Sequence, residues 1–345
     1  MNNIDNQYLE TKKYPGPVAA GIFFSLTTIF MTYGAAILPF KNAYLRSGAG
    51  EVIFVLLPAL IFLVAGRYNL KDTLKLRRTK PINYVIVVFM MMFALPVVGV
   101  LNAIALGIIR LIFGRNLPIP SLDISDIPTL LIALLVIGVS AAVCEETLFR
   151  GLISKSYSCL GTVGSLALTS VLFGILHRDL QKIIGTALLG ALIGFIVYRT
   201  KSIYAGMAAH FTNNAIAVLL TYASSKMIER MDNVGINQIE NFDFSKIPTA
   251  SLVIVAVFYG ILFLGCLGGF IGLMYAFLKS TEGSFRGALY QSISPKKEKK
   301  FGVAAVISVL PGVIMIFFIF IRQVLELMDV KSGLLFDFIR AIGLS

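Results

Sequence analysis

Long apolar runs with almost no charge are the feature that most limits how this sequence can fold. A run of about 18 apolar residues is long enough to cross a bilayer as a helix. The charged fraction of the chain is 14%, against roughly 25% in soluble domains. The sequence therefore predicts an all-α fold, a polytopic transmembrane helical bundle of about eight to nine spans. The runs of about this length lie at 17–40, 50–66, 82–113, 127–151, 161–177, 183–198, 203–222, 250–278 and 301–321.

The distribution of basic residues indicates the orientation of the bundle. Lys and Arg total 30, against 18 Asp and Glu, and they concentrate in the segments 67–81 and 279–300. Basic loops remain on the cytoplasmic side of a membrane, which places the N-terminus there. We expect a multi-pass protein of a bacterial cell membrane that contacts the lipid bilayer and binds no nucleic acid. The pattern leaves the oligomeric state open.

Two adjacent acids and an arginine follow a long apolar stretch in the fourth run. Glu146 and Arg150 are four residues apart in the favourable order for an ion pair on a helix, whereas Glu145 is rotated by about 100° and lacks that partner. Ionisable groups inside a span are costly and usually functional. The pattern predicts one neutralised acid, Glu146, and one free acid, Glu145, which suits a general base.

The chain has only two histidines, and both lie within 65 residues of these acids. His177 ends the fifth run, and His210 lies four residues before Asn214 in the seventh. A carboxylate beside an imidazole can deprotonate water, and a second imidazole with an amide can stabilise an oxyanion. Glu145, His177 and His210 also match the ligand count of a catalytic Zn²⁺ site, although the H-E-x-x-H spacing is absent.

The three motifs resemble those of the CPBP intramembrane proteases, which include the type II CAAX prenyl endopeptidases and the Abi bacteriocin-immunity proteins. They are Glu145-Glu146-x-x-x-Arg150, Phe173-x-x-x-His177 and His210-x-x-x-Asn214. The resemblance implies Glu145 and His177 as the water-activating pair, His210 and Asn214 as the oxyanion hole, and Glu146 with Arg150 in support. It also implies a helical membrane fold with a conical cavity, and a glutamate-type mechanism without a cofactor, although the family was long classed as metalloproteases.

The apolar runs, the loop charges and the resemblance together suggest how the chain is organised. The expected parts are a cytoplasmic tail at 1–16, N-terminal spans at 17–126, a four-span catalytic core at 127–222, an extracytoplasmic loop at 223–247, and a two-span extension at 248–345 that ends in an amphipathic helix. The extension departs from the family pattern and leaves the substrate open.

The predicted function is endopeptidase cleavage of a peptide or membrane-protein substrate near the cytoplasmic side, in CAAX-type processing or in peptide maturation or immunity. The alternatives are a non-catalytic membrane scaffold or immunity protein, and a proton-coupled transporter that uses Glu145 and the histidines as a relay. A transporter would more often show repeated halves, and the sequence shows no internal repeat.

Overall fold

The computed structural model describes residues 13–118, 123–233, 248–283 and 300–344. All regular structure in these ranges is helical, which confirms the predicted all-α bundle. The longer helices are α1 (Pro17–Tyr33), α2 (Ala43–Ala65), α4 (Pro81–Phe113), α5 (127–156), α6 (Gly161–Leu176), α7 (Ile183–Thr200), α8 (Ile203–Asn233), α9 (Thr249–Ser280) and α10 (Val303–Leu327); the short ones are α3 (Leu70–Thr73) and α11 (Leu334–Ala341).

Within the described ranges, seven helical stretches are long and apolar enough to cross a membrane, and α1 is a shorter apolar helix. One of the seven, Ile127–Leu176, reverses direction in its middle and contains both α5 and α6. Gly161 adopts a positive φ of 71° at the turn. The Ser165 hydroxyl donates to the Ser154 carbonyl at 3.0 Å, although a straight helix would separate these residues by about 16 Å. The helices thus correspond to the predicted runs.

Local signals explain where several helices begin. The side chains of Asn42 and Asp126 accept hydrogen bonds from backbone N–H groups in the first turns of α2 and α5, which satisfies donors that have no partner inside the helix. Pro17 and Pro81 occupy the first helical positions of α1 and α4, where a missing N–H costs nothing.

Two boundaries differ from the sequence-based expectation. Helix α8 continues to Asn233, so residues 223–233 of the expected loop are helical, and residues 234–247 lie outside the described ranges. Helix α10 continues to Leu327, so the expected amphipathic helix is confined to Leu334–Ala341. Both helices are long enough for their ends to project beyond the hydrocarbon core, where polar residues no longer oppose helix formation.

The basic segments predicted to share one side meet at one end of the bundle as far as they are described, over 67–81 and 279–283. The backbone N–H of Ile203 donates to the carbonyl of Lys75 at 3.1 Å, and Arg199 donates to the carbonyl of Leu278 at 2.6 Å. These contacts join the segment after α2 to the α7–α8 turn and to the end of α9. We call this the basic end. The opposite end contains the α6–α7 turn and α11.

The C-terminal helices pack on the rest of the bundle in different ways. Helix α10 lies against α1 through small residues: the Ser25 hydroxyl donates to the carbonyl of Ser308 at 2.9 Å and accepts from the N–H of Gly312 at 3.1 Å. A Cβ added at Gly21 would lie 2.0 Å from the Ser308 hydroxyl oxygen, so the backbones approach as closely as small residues allow. Helix α9 exposes most of its surface and contacts α4 through Gly269.

Candidate active site

Glu146 lies at the centre of the buried polar cluster in the bundle. Its Oε1 lies 3.0 Å from Nη1 of Arg150 and 2.9 Å from Nδ1 of His210. Glu146 is 0% exposed, Arg150 4% and His210 4%, so no part of this triad is screened by bulk water. Arg150 also donates to the carbonyl of Gly190 at 3.0 Å. The cluster therefore ties α5 to both α7 and α8.

A close backbone approach makes this triad possible. A Cβ added at Gly206 on α8 would lie 2.4 Å from Cγ2 of Val197 and 3.1 Å from Oε2 of Glu146. Glycine thus lets α8 come against the carboxylate, one turn before His210. The spacing of Glu146 and Arg150 predicts their ion pair, but the additional bond to His210 depends on how α5 and α8 are rotated against each other.

Phe173 connects this cluster to the second histidine. Its ring centroid lies 5.8 Å from that of His210 and 4.9 Å from that of His177. The guanidinium carbon of Arg150 lies 4.3 Å from the same ring, within the range of a cation–π interaction. The structure thus brings residues of all three motifs around one aromatic side chain.

His177 caps α6 and is exposed. Its Nδ1 lies 2.9 Å from the carbonyl oxygen of Phe173. Because a carbonyl can only accept, Nδ1 carries the proton in this hydrogen bond, and Nε2 of the neutral ring keeps its lone pair. Nε2 has no partner among the described residues, so it is available to bind and orient a water molecule.

Glu145 faces a different side of α5 from Glu146. It is only partly buried, but its Oε2 is shielded from solvent and has no hydrogen-bond partner in the described residues. No hydrogen bond joins Glu145 to His177 or His210 in the described ranges. The structure therefore separates the two acids as the sequence predicts, one paired and one not.

A third acid, Glu51 on α2, lies within electrostatic range of Glu145 and of Arg178. Glu51 is 8% exposed, and its Oε2 is also buried without a hydrogen-bond partner in the described residues. Sequence analysis missed this residue. The available signal was a single acid at the beginning of the apolar run 50–66, which lies inside α2 because this helix starts at Ala43.

Asn214 lies one turn after His210 on α8. Its Nδ2 donates to the carbonyl of Ile137 on α5 at 2.7 Å, and its Oδ1 accepts from Asn213 at 3.0 Å. An amide nitrogen has two protons, so Asn214 retains one N–H. Wide π-type turns at Leu134–Ser140 and Thr147–Ile153 flank the turn with both acids, and such turns are frequent at functional sites.

The positions of these side chains do not fit a zinc site. Among the described residues, no three His, Cys, Asp or Glu side chains are grouped so that they could hold a metal ion. The donor set Glu145, His177 and His210 is therefore not preassembled around a common centre.

Comparison with known proteins supports the resemblance seen in the three motifs. Residues 127–216 match the family described as type II CAAX prenyl endopeptidase Rce1-like. A Bacillus subtilis protein named "Putative membrane peptidase YdiL" is 25% identical over 218 residues, which cover 57% of this chain and 87% of that protein. No solved structure matches.

These findings support the resemblance of residues 127–216 to the CPBP proteases. They support, in general terms, a CAAX-type protease that acts within the membrane. The chain is a multi-pass integral membrane protein. Helices α1, α2, α4, α9 and α10 lie outside the matched region.

Proposed function

We propose that this chain is an intramembrane endopeptidase that cleaves a peptide or membrane-protein substrate by means of a water molecule activated by Glu145 and His177. The observation that carries the proposal is that Glu146 has bonded partners, whereas Glu145 has none in the described residues. The Oε1 of Glu146 binds Arg150 and Nδ1 of His210, while the Oε2 of Glu146 is buried without a hydrogen-bond partner in the described residues. The Oε2 of Glu145 and the Nε2 of His177 have no partners among the described residues.

The reaction begins with water held between Glu145 and His177. Glu145 accepts one proton while the water oxygen attacks the carbonyl carbon of the scissile peptide bond. The oxyanion that forms is stabilised by the remaining N–H of Asn214. Glu145 then returns its proton to the amide nitrogen, the C–N bond breaks, and a new carboxyl group and a new amine leave the site.

The contribution of His210 to the oxyanion hole depends on its protonation. Because Nδ1 lies against the Glu146 carboxylate, it acts as a donor there, and a neutral ring then presents a lone pair at Nε2. His210 can donate to an oxyanion only as the doubly protonated ring. The doubly protonated ring would keep the hydrogen bond from Nδ1 to Glu146, so this contact is compatible with both the neutral and the doubly protonated ring.

A proteomic comparison tests the proposal. The parent, Glu145→Gln and the matched surface variant Glu229→Gln are expressed in the source cells, and new peptide termini are quantified. We expect termini that are present with the parent and with Glu229→Gln, and reduced with Glu145→Gln by at least the roughly 10²-fold that a general base contributes. Termini that are unchanged in Glu145→Gln would remove the proposed base. A complete absence of termini dependent on the parent would instead favour a scaffold or a transporter.

Two single substitutions on α8 separate the role of Asn214 from that of Asn213. Asn214→Ala should lower turnover by about 10²–10³-fold with little change in substrate affinity, as expected for the loss of an oxyanion donor. Asn213→Ala removes a partner of Asn214 but leaves the donated bond to Ile137 in place, so we expect a smaller loss. Equal losses in the two variants would contradict the assignment.

A further inference from the structure

A cavity of about 570 Å³ opens at the end of the bundle opposite the basic end, and it reaches His177. One wall is the α6–α7 turn, from His177 to Lys182, and the other is the last part of α10. Its volume lies in the range of ligand-binding pockets. Helix α10 lies outside the region that matches the protease family, so one wall of the pocket comes from a part of the chain that this match does not cover. We call this cavity the access pocket.

The two walls are joined by a single buried side chain. Gln323 of α10 is 8% exposed. Its Oε1 accepts from the N–H of Leu180 at 2.8 Å, and its Nε2 donates to the carbonyl of Arg178 at 2.7 Å. The extension therefore holds the turn that follows His177 in a fixed position. A pocket wall that is bonded in this way is a built feature of the fold.

Two guanidinium groups line the access pocket, and neither forms a hydrogen-bonded ion pair in the described residues, although Glu51 lies within electrostatic range of Arg178. Arg178 donates to the carbonyl of Met31 at 2.7 Å, while its Nε is buried and unpartnered in the described residues. Arg322 is partly buried and forms no ion pair there. Lys182 is paired with Asp179 at 3.1 Å.

The remaining acid that lines the pocket, Glu326, is exposed. Guanidinium groups bind carboxylates through two parallel hydrogen bonds, so Arg322, which has no ion-pair partner in the described residues, favours a carboxylate in the pocket, with Arg178 beside it only partly compensated by Glu51.

We infer that substrate reaches His177 through the access pocket, and that Arg178 and Arg322 bind a carboxylate of the peptide. Cleavage of the bound peptide rests on the proposed function, but binding of the carboxylate does not. Because the pocket is remote from the basic end, it faces the extracytoplasmic side if the basic loops are cytoplasmic. This placement differs from the expected cleavage near the cytoplasmic side. The physical reason is that α6 rises about 24 Å from its turn before it reaches His177.

Binding is measured on purified Glu145→Gln protein, which keeps the pocket and is not expected to turn over peptide. The probes are fluorescent tetra-alanine peptides with a free C-terminal carboxylate or a C-terminal amide, and amidated peptides with an internal Glu or an internal Gln. We expect the two carboxylate-bearing classes, or one of them, to bind more tightly than the neutral forms. The class that does so identifies the source of the carboxylate.

The pocket variant is Arg322→Gln, and the control is Arg230→Gln, an exposed arginine near the far end of α8 that does not line the pocket. Arg322→Gln should weaken binding of the carboxylate peptide by about 10- to 100-fold, the value of one charge-assisted hydrogen-bonded pair, and leave the amide peptide unchanged. Arg230→Gln should leave both unchanged. Equal binding of acid and amide peptides, or equal losses in the two arginine variants, would overturn the inference.

Two further measurements separate this inference from the proposed function. A membrane-impermeant maleimide applied to intact cells should label Ser332→Cys at the pocket end and should not label Lys71→Cys at the basic end; the reverse pattern would overturn the extracytoplasmic placement. If carboxylate binding depends on Arg322 but the parent cleaves none of the bound peptides, the access pocket stands and the protease proposal fails. If the parent cleaves acid and amide peptides equally well, the protease proposal stands and the pocket inference fails.

Discussion

A buried lysine at the basic end should make the stability of this protein rise with pH. Lys75 lies between α3 and α4, and its ammonium group donates to the backbone carbonyl of Arg150. Burial lowers the pKa of Lys75 from 10.5 to about 7, and the positive charges of Lys155, Lys201 and Arg150 act in the same direction. The contact links the basic end to the turn of α5 that pairs with Glu146.

The direction of the effect follows from the number of protons bound in each state. Between pH 7 and 10.5 the unfolded chain keeps a proton on Lys75 that the folded chain has released, so the free energy of unfolding increases with pH across this window. A pKa difference of one unit corresponds to about 1.4 kcal/mol. For the two pKa values of Lys75, raising the pH from 7.5 to 9.5 should add about 2.5 kcal/mol. For a chain of this length that is a rise of about 3–4 °C in Tm.

The measurement compares thermal unfolding of the parent and of Lys75→Met at the two pH values by far-ultraviolet circular dichroism in one detergent. Methionine keeps an unbranched chain and cannot ionise. Burial also lowers the pKa of Lys201, to about 8, so the parent's total pH dependence is not due to Lys75 alone, and the difference between the two proteins isolates it. We expect the parent to gain about 3 °C relative to Lys75→Met between pH 7.5 and 9.5.

The control is Lys71→Met, an exposed lysine of the same segment, which should follow the parent at both pH values. Parallel changes in the parent and in Lys75→Met would show that Lys75 keeps its proton on folding, and the argument from burial would be wrong.

The other predictions concern the acids and the metal. Gly206→Ala should lower yield and activity because the new methyl group meets Val197 and the Glu146 carboxylate. The control Gly268→Ala has open space around it and should leave both unchanged. Equal yields of the two variants would contradict the close approach of α8 to Glu146. Glu51→Gln should melt at the same temperature as the parent or higher, since a neutral amide is cheaper to bury than a carboxylate beside another acid; a fall of several degrees would show that the charge of Glu51 is stabilising. Elemental analysis of the purified protein should find less than one zinc per chain, and chelator should leave cleavage intact; stoichiometric zinc whose removal abolishes cleavage would instead require metal ligands in the site.

Sequence patterns predict most of the fold because the bilayer leaves the chain few choices. An apolar run of sufficient length must satisfy its own backbone, so it becomes a helix wherever it enters the membrane. Helix ends are less certain, because no such requirement applies in water. Helix α8 illustrates this: its apolar pattern ends near residue 222, but the helix continues to Asn233. Helix α2 likewise begins earlier than its apolar run, at Ala43 after the Asn42 cap, so Glu51 lies inside a helix and was missed.

Spacing within one helix is predictable, but rotation between helices is not. The sequence places Glu146 and Arg150 on one face of α5 because they are four residues apart. It contains no information of this kind on the angle at which α8 faces α5, so the bond from His210 to Glu146 could not be predicted. The packing of α10 on α1 through Ser25 is of the same type, because it depends on small residues that are common throughout the chain.

The bonds of Glu146 to both Arg150 and His210 give it a different role from that of the adjacent Glu145. Loss of Glu146 would leave the Arg150 guanidinium buried without its carboxylate, which costs about 3–5 kcal/mol when one member of a buried pair is removed, and it would also release His210. Loss of Glu145 removes an acid that, unlike Glu146, forms no ion pair in the described residues, so the folded state depends on it much less. The two acids are adjacent in sequence, yet one rotation of about 100° makes one a structural anchor of three helices and leaves the other available for chemistry.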